Sequence, residues 1–561
     1  MDVGVTGLAF DRLLKAEVEQ LSFRCGHGPK CRINRRQGRV THSTSGYALR
    51  LHGLTLMETT SPDPDRLFRT DHLKPNLAAR SVRGGAVTLA AQGLRFAIQI
   101  GSTMILARLL VPGDFGLIGM AVAVTGFVAL FRDLGLSQAT IQRESITHAD
   151  VNALFWVNVA VSTILALLTV VMAPLLGWFY GDSRVTGITM ALAAGFLMGG
   201  LAAQHQALID RQMRFRARGV VDVASLAFGA IAGVTAAMLG AGYWSLVVQT
   251  LAMSLATAVG FWLLSRWRPG RPAWSSAARS MLHFGGHLTG FHVLNYVGRN
   301  VDNLLIGRVW GAGPLGLYSR AYQLLMLPIR QINAPLAAVG MPALGRLRDE
   351  PDRYRAVYLR VLEKIALLTM PSVALLIATS DWVIRLVLGP GWGGAAAMFT
   401  WLGVAALIQP AANTTGWLFI SQERGRDMFR WGIMGTAISV VAIVAGLPWG
   451  AVGVAAVYAL SDILIKTPLL FWHVGRSGPV RTSDLYRALM TPALAAAATL
   501  AVVLLFRSLA PAVPPLNGLL ISVSLGFAAT VVTLVLTPGG RAALRDIRRF
   551  GALLTTRSLE V

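Results

Sequence analysis

The sequence predicts an all-α polytopic membrane protein with about 14 transmembrane helices, and three observations support this fold class. Of the 561 residues, 54% are hydrophobic and only 14% are charged, whereas a soluble domain carries roughly 25% charged residues. The apolar residues form blocks of about 20, the length that crosses a hydrocarbon core of ~30 Å. The basic residues lie mainly between these blocks, so the net charge of +24 indicates a topology signal rather than a nucleic-acid surface.

Residues 1–80 form a polar, basic leader without a hydrophobic stretch long enough for a signal peptide or a span. Low hydrophobicity at high charge predicts disorder. Two interpretations fit, a disordered cytoplasmic tail or an over-long reading frame whose real start is Met57, and we favour the second. The two cysteines, Cys25 and Cys31, lie in this leader without a second pair, so we interpret them as incidental thiols.

The hydrophobic blocks divide into two groups of six and a final pair. The predicted spans are 84–107, 113–131, 152–177, 185–208, 219–240 and 243–265, then 283–309, 314–341, 361–379, 394–420, 430–448 and 450–473, then 489–510 and 516–537. The predicted units are an N-terminal lobe over 81–266, a C-terminal lobe over 280–475, a final helix pair over 485–537 and a basic cytoplasmic tail over 538–561.

The arginine content alternates from loop to loop. Loops after even-numbered spans are rich in arginine, at 211–218, 266–279, 346–355, 424–430 and 476–487, whereas loops after odd-numbered spans hold isolated arginines. The positive-inside rule then places the arginine-rich loops in the cytoplasm. Because the number of spans is even, both termini are expected there too.

A short segment recurs at an offset of 200 residues. The sequence ARLLVPGDFGL at 107–117 aligns without gaps with GRVWGAGPLGL at 307–317, and Arg, two Gly and Leu coincide. Six spans separate the copies, so the two halves insert in the same orientation. This pattern predicts two parallel six-helix lobes around a central cavity, plus two extra C-terminal helices, as in an alternating-access transporter.

Polar residues recur at helical spacing on the two spans that end in this repeat. A charge at mid-bilayer costs ~3 kcal/mol or more, so such a stripe must face water or protein. Two stripes facing each other would line one cavity. With two arginines of span eight, the predicted substrate-binding residues are Arg95, Gln99, His292, Asn295, Arg299, Asp302, Arg320 and Arg330.

This cavity is expected to be cationic, since Asp302 is the only acid on these faces. The planar fork of arginine matches phosphate oxygens, which favours an anionic, phosphorylated substrate. Two alternatives stay open. Arg299 could pair with Asp302 to hold the helix bundle together, and Arg320 and Arg330 could extend to the membrane interface.

Motifs for chemical catalysis are absent from the sequence. It has no G-x-x-x-x-G-K-[ST], no H-E-x-x-H and no cluster with metal-ligand spacing, so we predict a non-enzyme without cofactor or metal. No loop beyond the leader exceeds roughly twenty residues, far short of the ~100 of a catalytic domain.

The chain resembles the polysaccharide flippases of the O-antigen and exopolysaccharide type, in the multidrug/oligosaccharidyl-lipid/polysaccharide exporter superfamily. The resemblance runs from Ser81 to the C-terminus. It depends on SVRGG at 81–85, the junction ARLLVPGDFG at 107–116, FRDLGL at 131–136 and the arrangement of six, six and two spans.

This resemblance implies a multi-pass transporter that moves undecaprenyl-diphosphate-linked oligosaccharide repeat units across a bacterial inner membrane, for lipopolysaccharide or exopolysaccharide biosynthesis. The implied partners are this lipid-linked substrate, membrane lipid, and the polysaccharide polymerase and chain-length machinery, with no nucleic acid. One alternative is a multidrug or small-molecule antiporter, for which Asp302 and Asp462 are the candidate coupling acids. A membrane-embedded polymerase or ligase is less favoured, because it would need a large periplasmic loop.

Overall fold

The computed structural model describes Phe68 and residues 77–132, 135–143, 145–272 and 296–545. Within these ranges all regular secondary structure is helical, which confirms the predicted all-α class. The predicted site residues His292 and Asn295 lie outside the described residues, as do nearly all of the predicted leader and most of the predicted tail.

Seven described helices form the N-terminal half. They are α1 (Leu77–Leu109), α2 (Pro112–Ala129), α3 (Leu136–Gln142), α4 (His148–Tyr180), α5 (Ser183–Arg211), α6 (Phe215–Met238) and α7 (Trp244–Ser265).

The described helices of the C-terminal half begin with α8 over 296–310. The next are α9 (Ala312–Arg346), α10 (Pro351–Ala378), α11 (Ser380–Val387), α12 (Ala395–Ser421), α13 (Gly425–Gly446), α14 (Gly450–Ser461), α15 (Thr467–Gly475), α16 (Thr482–Leu509) and α17 (Pro515–Leu536). A π turn over Asp462–Lys466 connects α14 to α15 without a break.

Ten helical segments of the described residues are long and apolar enough to cross a membrane, so the chain is a multi-pass membrane protein. One of them, Gly425–Gly475, has 51 residues and turns at Leu447–Trp449, where α14 folds back against α13. Helices α1 and α9 have 33 and 35 residues but carry polar stripes. Where the structure describes them, the predicted spans fall on observed helices, although α10 begins ten residues before the predicted span 361–379. The start of the predicted span 283–309 lies outside the described residues, and the total of fourteen crossings stays a prediction.

The helix ends follow local sequence signals. Pro112 opens α2, where its missing N–H costs nothing, and the Asp114 carboxylate accepts a hydrogen bond from the Val111 N–H at 3.2 Å. Thr147 caps α4 by accepting from the Asp150 N–H at 3.2 Å. Gly181 ends α4 with φ 70°, a left-handed conformation that favours glycine, so α5 can return beside α4.

The helices pack as two groups, α1–α7 and α9–α15, with α16 and α17 added on α10. We count α8 with the second group, because Asp302 contacts Tyr318 of α9 and Gly298 lies against Thr436 of α13. In the first group α4 packs on α5, α6 on α7, and α1 on α6. In the second, α9 and α10 pack on α12, and α13 on α14. The main contact between the groups joins α2 to α9, the two helices that follow the repeated junctions.

The loops segregate to two opposite ends, as the alternating arginines predict. At one end, residues after odd-numbered spans meet: Trp310 Nε1 donates to the Leu447 carbonyl at 2.9 Å, and Arg507 donates to Asp381 at 2.9 Å. At the other end, Arg424 donates to the Ser477 carbonyl at 2.7 Å. We call these the odd-loop end and the arginine-rich end.

Phe68 departs from the expectation that nothing in the leader packs as a core. Its side chain is only 6% exposed and packs with Phe155 and Trp267 at the arginine-rich end. The buried Arg211 donates to the Phe68 carbonyl from Nε at 3.2 Å and from Nη2 at 3.1 Å. The predicted leader therefore contains a docked residue that its low overall hydrophobicity did not indicate.

Candidate functional site between the helix groups

The two copies of the repeated junction contact each other at the odd-loop end. A Cβ on Gly116 would overlap the carbonyl oxygen of Ala312, and a Cβ on Gly316 would overlap that of Pro112. The two contacts are equivalent under the 200-residue offset. The absence of side chains at these glycines lets the backbones of α2 and α9 touch. We call this α2–α9 contact the outer seam.

Hydrogen bonds and aromatic contacts extend the outer seam. Trp392 is 1% exposed, its Nε1 donates to the Ala107 carbonyl at 2.8 Å, and its ring meets Phe115 edge-on at 5.2 Å. Arg108, at the end of α1, donates to the Leu386 carbonyl of the second group at 3.0 Å. The equivalent Arg308 lies over the Phe179 ring of the first group at 5.6 Å. The groups are thus closed against each other at this end.

Arg320 lies just inside the outer seam. Its guanidinium carbon is 4.3 Å from the centre of the Phe115 ring, and its Nη1 donates to Gln323 Oε1 at 2.6 Å. Its Nε is buried without a hydrogen-bond partner, and no acid of the described residues forms an ion pair with it. A half-buried cation with a buried and unfilled donor favours an anion as ligand.

The cavity beside Arg320 is lined from both helix groups. Ile100 and Thr103 of α1 and Val387 of α11 face Arg320 and Gln323 of α9 across it. Its volume is about 10 Å³, about the space that one water molecule needs. With the outer seam closed, this cavity cannot hold a phosphate group. Helices α1, α2 and α9 would have to move apart to admit one.

Arg95 has an acidic partner that the sequence analysis missed. Its Nη1 is 3.2 Å from Asp222 Oδ2 on α6, and the Arg95 side chain is 48% exposed. Asp222 is also 3.8 Å from the Nε of Arg218, which forms an ion pair with Asp210. Arg95 therefore forms an ion pair within the first group. The signal available in the sequence was Asp222 itself, the single acid of the predicted span 219–240.

Asp302 contacts a tyrosine, not Arg299, the partner that the alternative interpretation gave it. The Tyr318 hydroxyl donates to Asp302 Oδ2 at 2.9 Å, and Asn303 Oδ1 is buried without a hydrogen-bond partner. Arg299 is exposed. Among the described ion pairs none joins Arg299 to Asp302, so nothing in this conformation supports the alternative in which these two residues hold the bundle together.

The remaining predicted site residues are spread over α1 and α9. Gln99 is half-buried, and its carbonyl accepts from the Ser102 hydroxyl at 3.1 Å. Arg330 lies on α9, three turns beyond Arg320. Of the predicted site residues with described contacts, Arg320 alone touches both helix groups. A single cavity shared by all eight residues stays a prediction.

Solved structures with the same fold are membrane transporters. The chain superposes on the lipid II flippase MurJ in an inward closed conformation with a TM-score of 0.64 and 12% identity, covering 80% of this chain and 97% of that one. An inward-facing multidrug resistance MATE family transporter of the MOP superfamily gives a TM-score of 0.56 and 15% identity, covering 72% and 98%. The architecture is therefore that of a polytopic α-helical transporter fold.

Sequence comparison identifies the family. A profile of the family described as "Polysaccharide biosynthesis protein" matches residues 105–397, more than half of the chain, and the chain belongs to that family. It is 24% identical over 396 residues to the lipopolysaccharide biosynthesis protein WzxC of Escherichia coli, covering 69% of this chain and 80% of that one. It is 26% identical over 429 residues to the teichuronic acid biosynthesis protein TuaB of Bacillus subtilis, covering 76% and 88%. The predicted resemblance to polysaccharide flippases is confirmed.

Proposed function

We propose that the chain is a flippase that moves undecaprenyl-diphosphate-linked oligosaccharide repeat units across a bacterial inner membrane, without changing covalent bonds. Its relatives are named for the synthesis of surface polysaccharides, and one, ExoT of Rhizobium meliloti, is named as a succinoglycan biosynthesis transport protein. The fold is shared with a lipid II flippase. The product would pass to the polysaccharide polymerase and chain-length machinery.

Arg320 is the observation that supports this proposal most strongly. It is a cation between the two helix groups with a buried donor that no described residue fills. The substrate diphosphate would supply the missing acceptors when the groups separate, and the planar guanidinium suits it better than a point charge. The sugar would occupy the polar space between the groups, and the lipid tail would stay in the bilayer.

The closed outer seam supports an alternating-access cycle for the two lobes. By the positive-inside rule we place the odd-loop end in the periplasm and the arginine-rich end, with both termini, in the cytoplasm. The structure would then be the state closed to the outside. Opening the outer seam and closing the arginine-rich end would release the repeat unit to the outer leaflet.

A complementation experiment in a deletion strain tests this function. We expect the deletion to accumulate a lipid-linked repeat unit on the cytoplasmic side, and the intact chain to restore surface polysaccharide. Arg320→Gln should fail to restore it while reaching the membrane in normal amount. Arg184→Gln is the matched control, because Arg184 pairs with Asp182 at the odd-loop surface, with its side chain 54% exposed.

The antiporter alternative makes a different prediction in the same strain. Deletion would then leave polysaccharide intermediates unchanged and alter resistance to toxic small molecules. Substitution of Asp302 or Asp462 would reproduce that phenotype. Accumulation of the lipid-linked intermediate argues against this alternative.

A further inference from the structure

The final helix pair, α16 and α17, is tied to the short helix α11 by one arginine. Arg507 of α16 donates to the Ala378 carbonyl and, at 2.9 Å, to Asp381 Oδ2. Its guanidinium carbon also lies 4.5 Å from the centre of the Trp382 ring. Three different contacts from one side chain fix the first turn of α11 against α16.

A glycine of α17 completes this attachment. A Cβ on Gly518 would lie 2.7 Å from the Trp382 ring, so the ring packs directly on the α17 backbone. Trp382 is only 7% exposed, between Arg507 on one side and Gly518 on the other. We call the contacts of Arg507 and Gly518 with α11 the α11 brace.

The opposite end of α11 contacts the first helix group. The Leu386 carbonyl accepts from Arg108 at 3.0 Å, and Val387 lines the cavity beside Arg320. Five residues after α11 ends, Trp392 donates to the Ala107 carbonyl at 2.8 Å. The segment 380–392 therefore links the final helix pair to the end of α1 across the outer seam.

We propose that the α11 brace holds the outer seam closed, so that the final helix pair sets the balance between the closed and open states of that seam. Arg507 acts as a positioning residue: it orients α11, and α11 presents the Leu386 carbonyl and Trp392 to α1. An eight-residue helix is two turns of rigid rod, so loss of its anchored end displaces the other. The inference deepens the proposed function, on which its transport consequence depends, but seam closure can be measured without any substrate.

Thiol labelling in membranes tests the brace directly. In a Cys25→Ser/Cys31→Ser background, Ala107→Cys places a thiol under Trp392, where Ala107 is 3% exposed. We expect slow reaction with an impermeant maleimide, and at least a threefold faster reaction after Arg507→Ala. Arg507→Lys should be intermediate, and the exchange Arg507→Asp/Asp381→Arg should return the rate toward that of the parent.

Two controls separate seam opening from general loosening. Arg184→Ala breaks an Arg–Asp ion pair at the same end but away from α11, and should leave the rate at Ala107→Cys unchanged. A thiol at Val111, which is 63% exposed, should react equally fast with and without Arg507→Ala. If Arg507→Ala does not fold, Asp381→Asn gives the same test in a milder form.

An unchanged labelling rate at Ala107→Cys in both Arg507→Ala and Asp381→Asn would overturn the brace. An equal acceleration in Arg184→Ala would overturn it as well, because the effect would then not depend on α11. A different result would separate the two proposals. If Arg507→Ala accelerates labelling but neither the parent nor the variant complements the deletion strain, the proposed transport function is refuted and the brace is supported.

Discussion

Gly116 and Gly316 each touch the backbone at the start of the other's helix, at Ala312 and Pro112 respectively. The two contacts are related by the same 200-residue offset that relates the repeated junctions. Equivalent residues of the two junctions contact each other, so a repeat in sequence becomes a self-complementary interface. Glycine occurs at both equivalent positions because each helix approaches the backbone of the other equally closely.

Adding a methyl group at this interface is expected to open it. Gly116→Ala or Gly316→Ala forces a carbon into a carbonyl oxygen, an overpacking that costs about 1–3 kcal/mol in the closed state alone. Labelling of Ala107→Cys should therefore accelerate and complementation should fall. Gly113→Ala is the matched control, because nothing lies within 4 Å of its Cβ. Equal labelling rates for Gly113→Ala and for the variants at Gly116 and Gly316 would contradict the close contact at the outer seam.

Arg95 and Arg218 should differ in their effect on protein abundance. Arg95→Ala leaves Asp222 beside Arg218 at 3.8 Å, so we expect a normal membrane level with reduced transport. Arg218→Ala leaves Asp222 paired with Arg95 at 3.2 Å but removes the ion-pair partner of Asp210, an acid that is only 20% exposed, so we expect a lower membrane level. Quantifying both variants in membranes checks this prediction. A membrane level of Arg95→Ala below that of Arg218→Ala would contradict it.

Arg299 and Asp302 are expected to behave independently. Since Asp302 accepts from Tyr318, Asp302→Ala removes that acceptor and should lower abundance, whereas Asp302→Asn keeps an acceptor and should be milder. Arg299→Ala should leave abundance unchanged. Membrane levels of the single and double variants decide the matter. Recovery of Asp302→Ala by Arg299→Ala would show that the two residues are coupled after all.

The leader should be dispensable up to a defined point. Expression from Met57 is expected to preserve membrane insertion and transport. Phe68→Ala should lower the midpoint of thermal unfolding in detergent, because a buried phenylalanine contributes about 3 kcal/mol or more. Leu67→Ala, at the neighbouring position, provides a comparison. A midpoint unaffected by Phe68→Ala would show that the residue does not dock.

The sequence allowed the helices and the repeated junctions to be anticipated, but not the contact between the two junctions or the partners of the polar residues. A block of about 20 apolar residues is accommodated in a bilayer as a membrane-spanning helix, so the predicted spans match helices such as α2 and α5. The repeat identified the junctions because both copies need a glycine at the same backbone contact. Asp222 and Phe115 could not be assigned to Arg95 and Arg320, since they lie on other helices and only packing brings them together.

Short elements outside the spans also escaped prediction. Helix α11 has eight residues, too few to cross a membrane, and its role depends on contacts with Arg507 and Arg108 from distant parts of the chain. Phe68 is one of two adjacent apolar residues in a polar stretch, and its burial depends on packing against Trp267, far along the chain. Neither position carries a periodic pattern that could be recognised in advance.

Transport by the purified full-length chain in liposomes tests the central claim most directly. An undecaprenyl-diphosphate-linked oligosaccharide is placed in the outer leaflet, and the fraction that becomes protected from an added glycosidase is measured with time. We predict that the intact chain makes a substantial fraction protected, and that Arg320→Gln slows this at least tenfold while Arg184→Gln does not. No protection by the intact, folded chain, or equal rates for Arg320→Gln and the intact chain, would contradict the account.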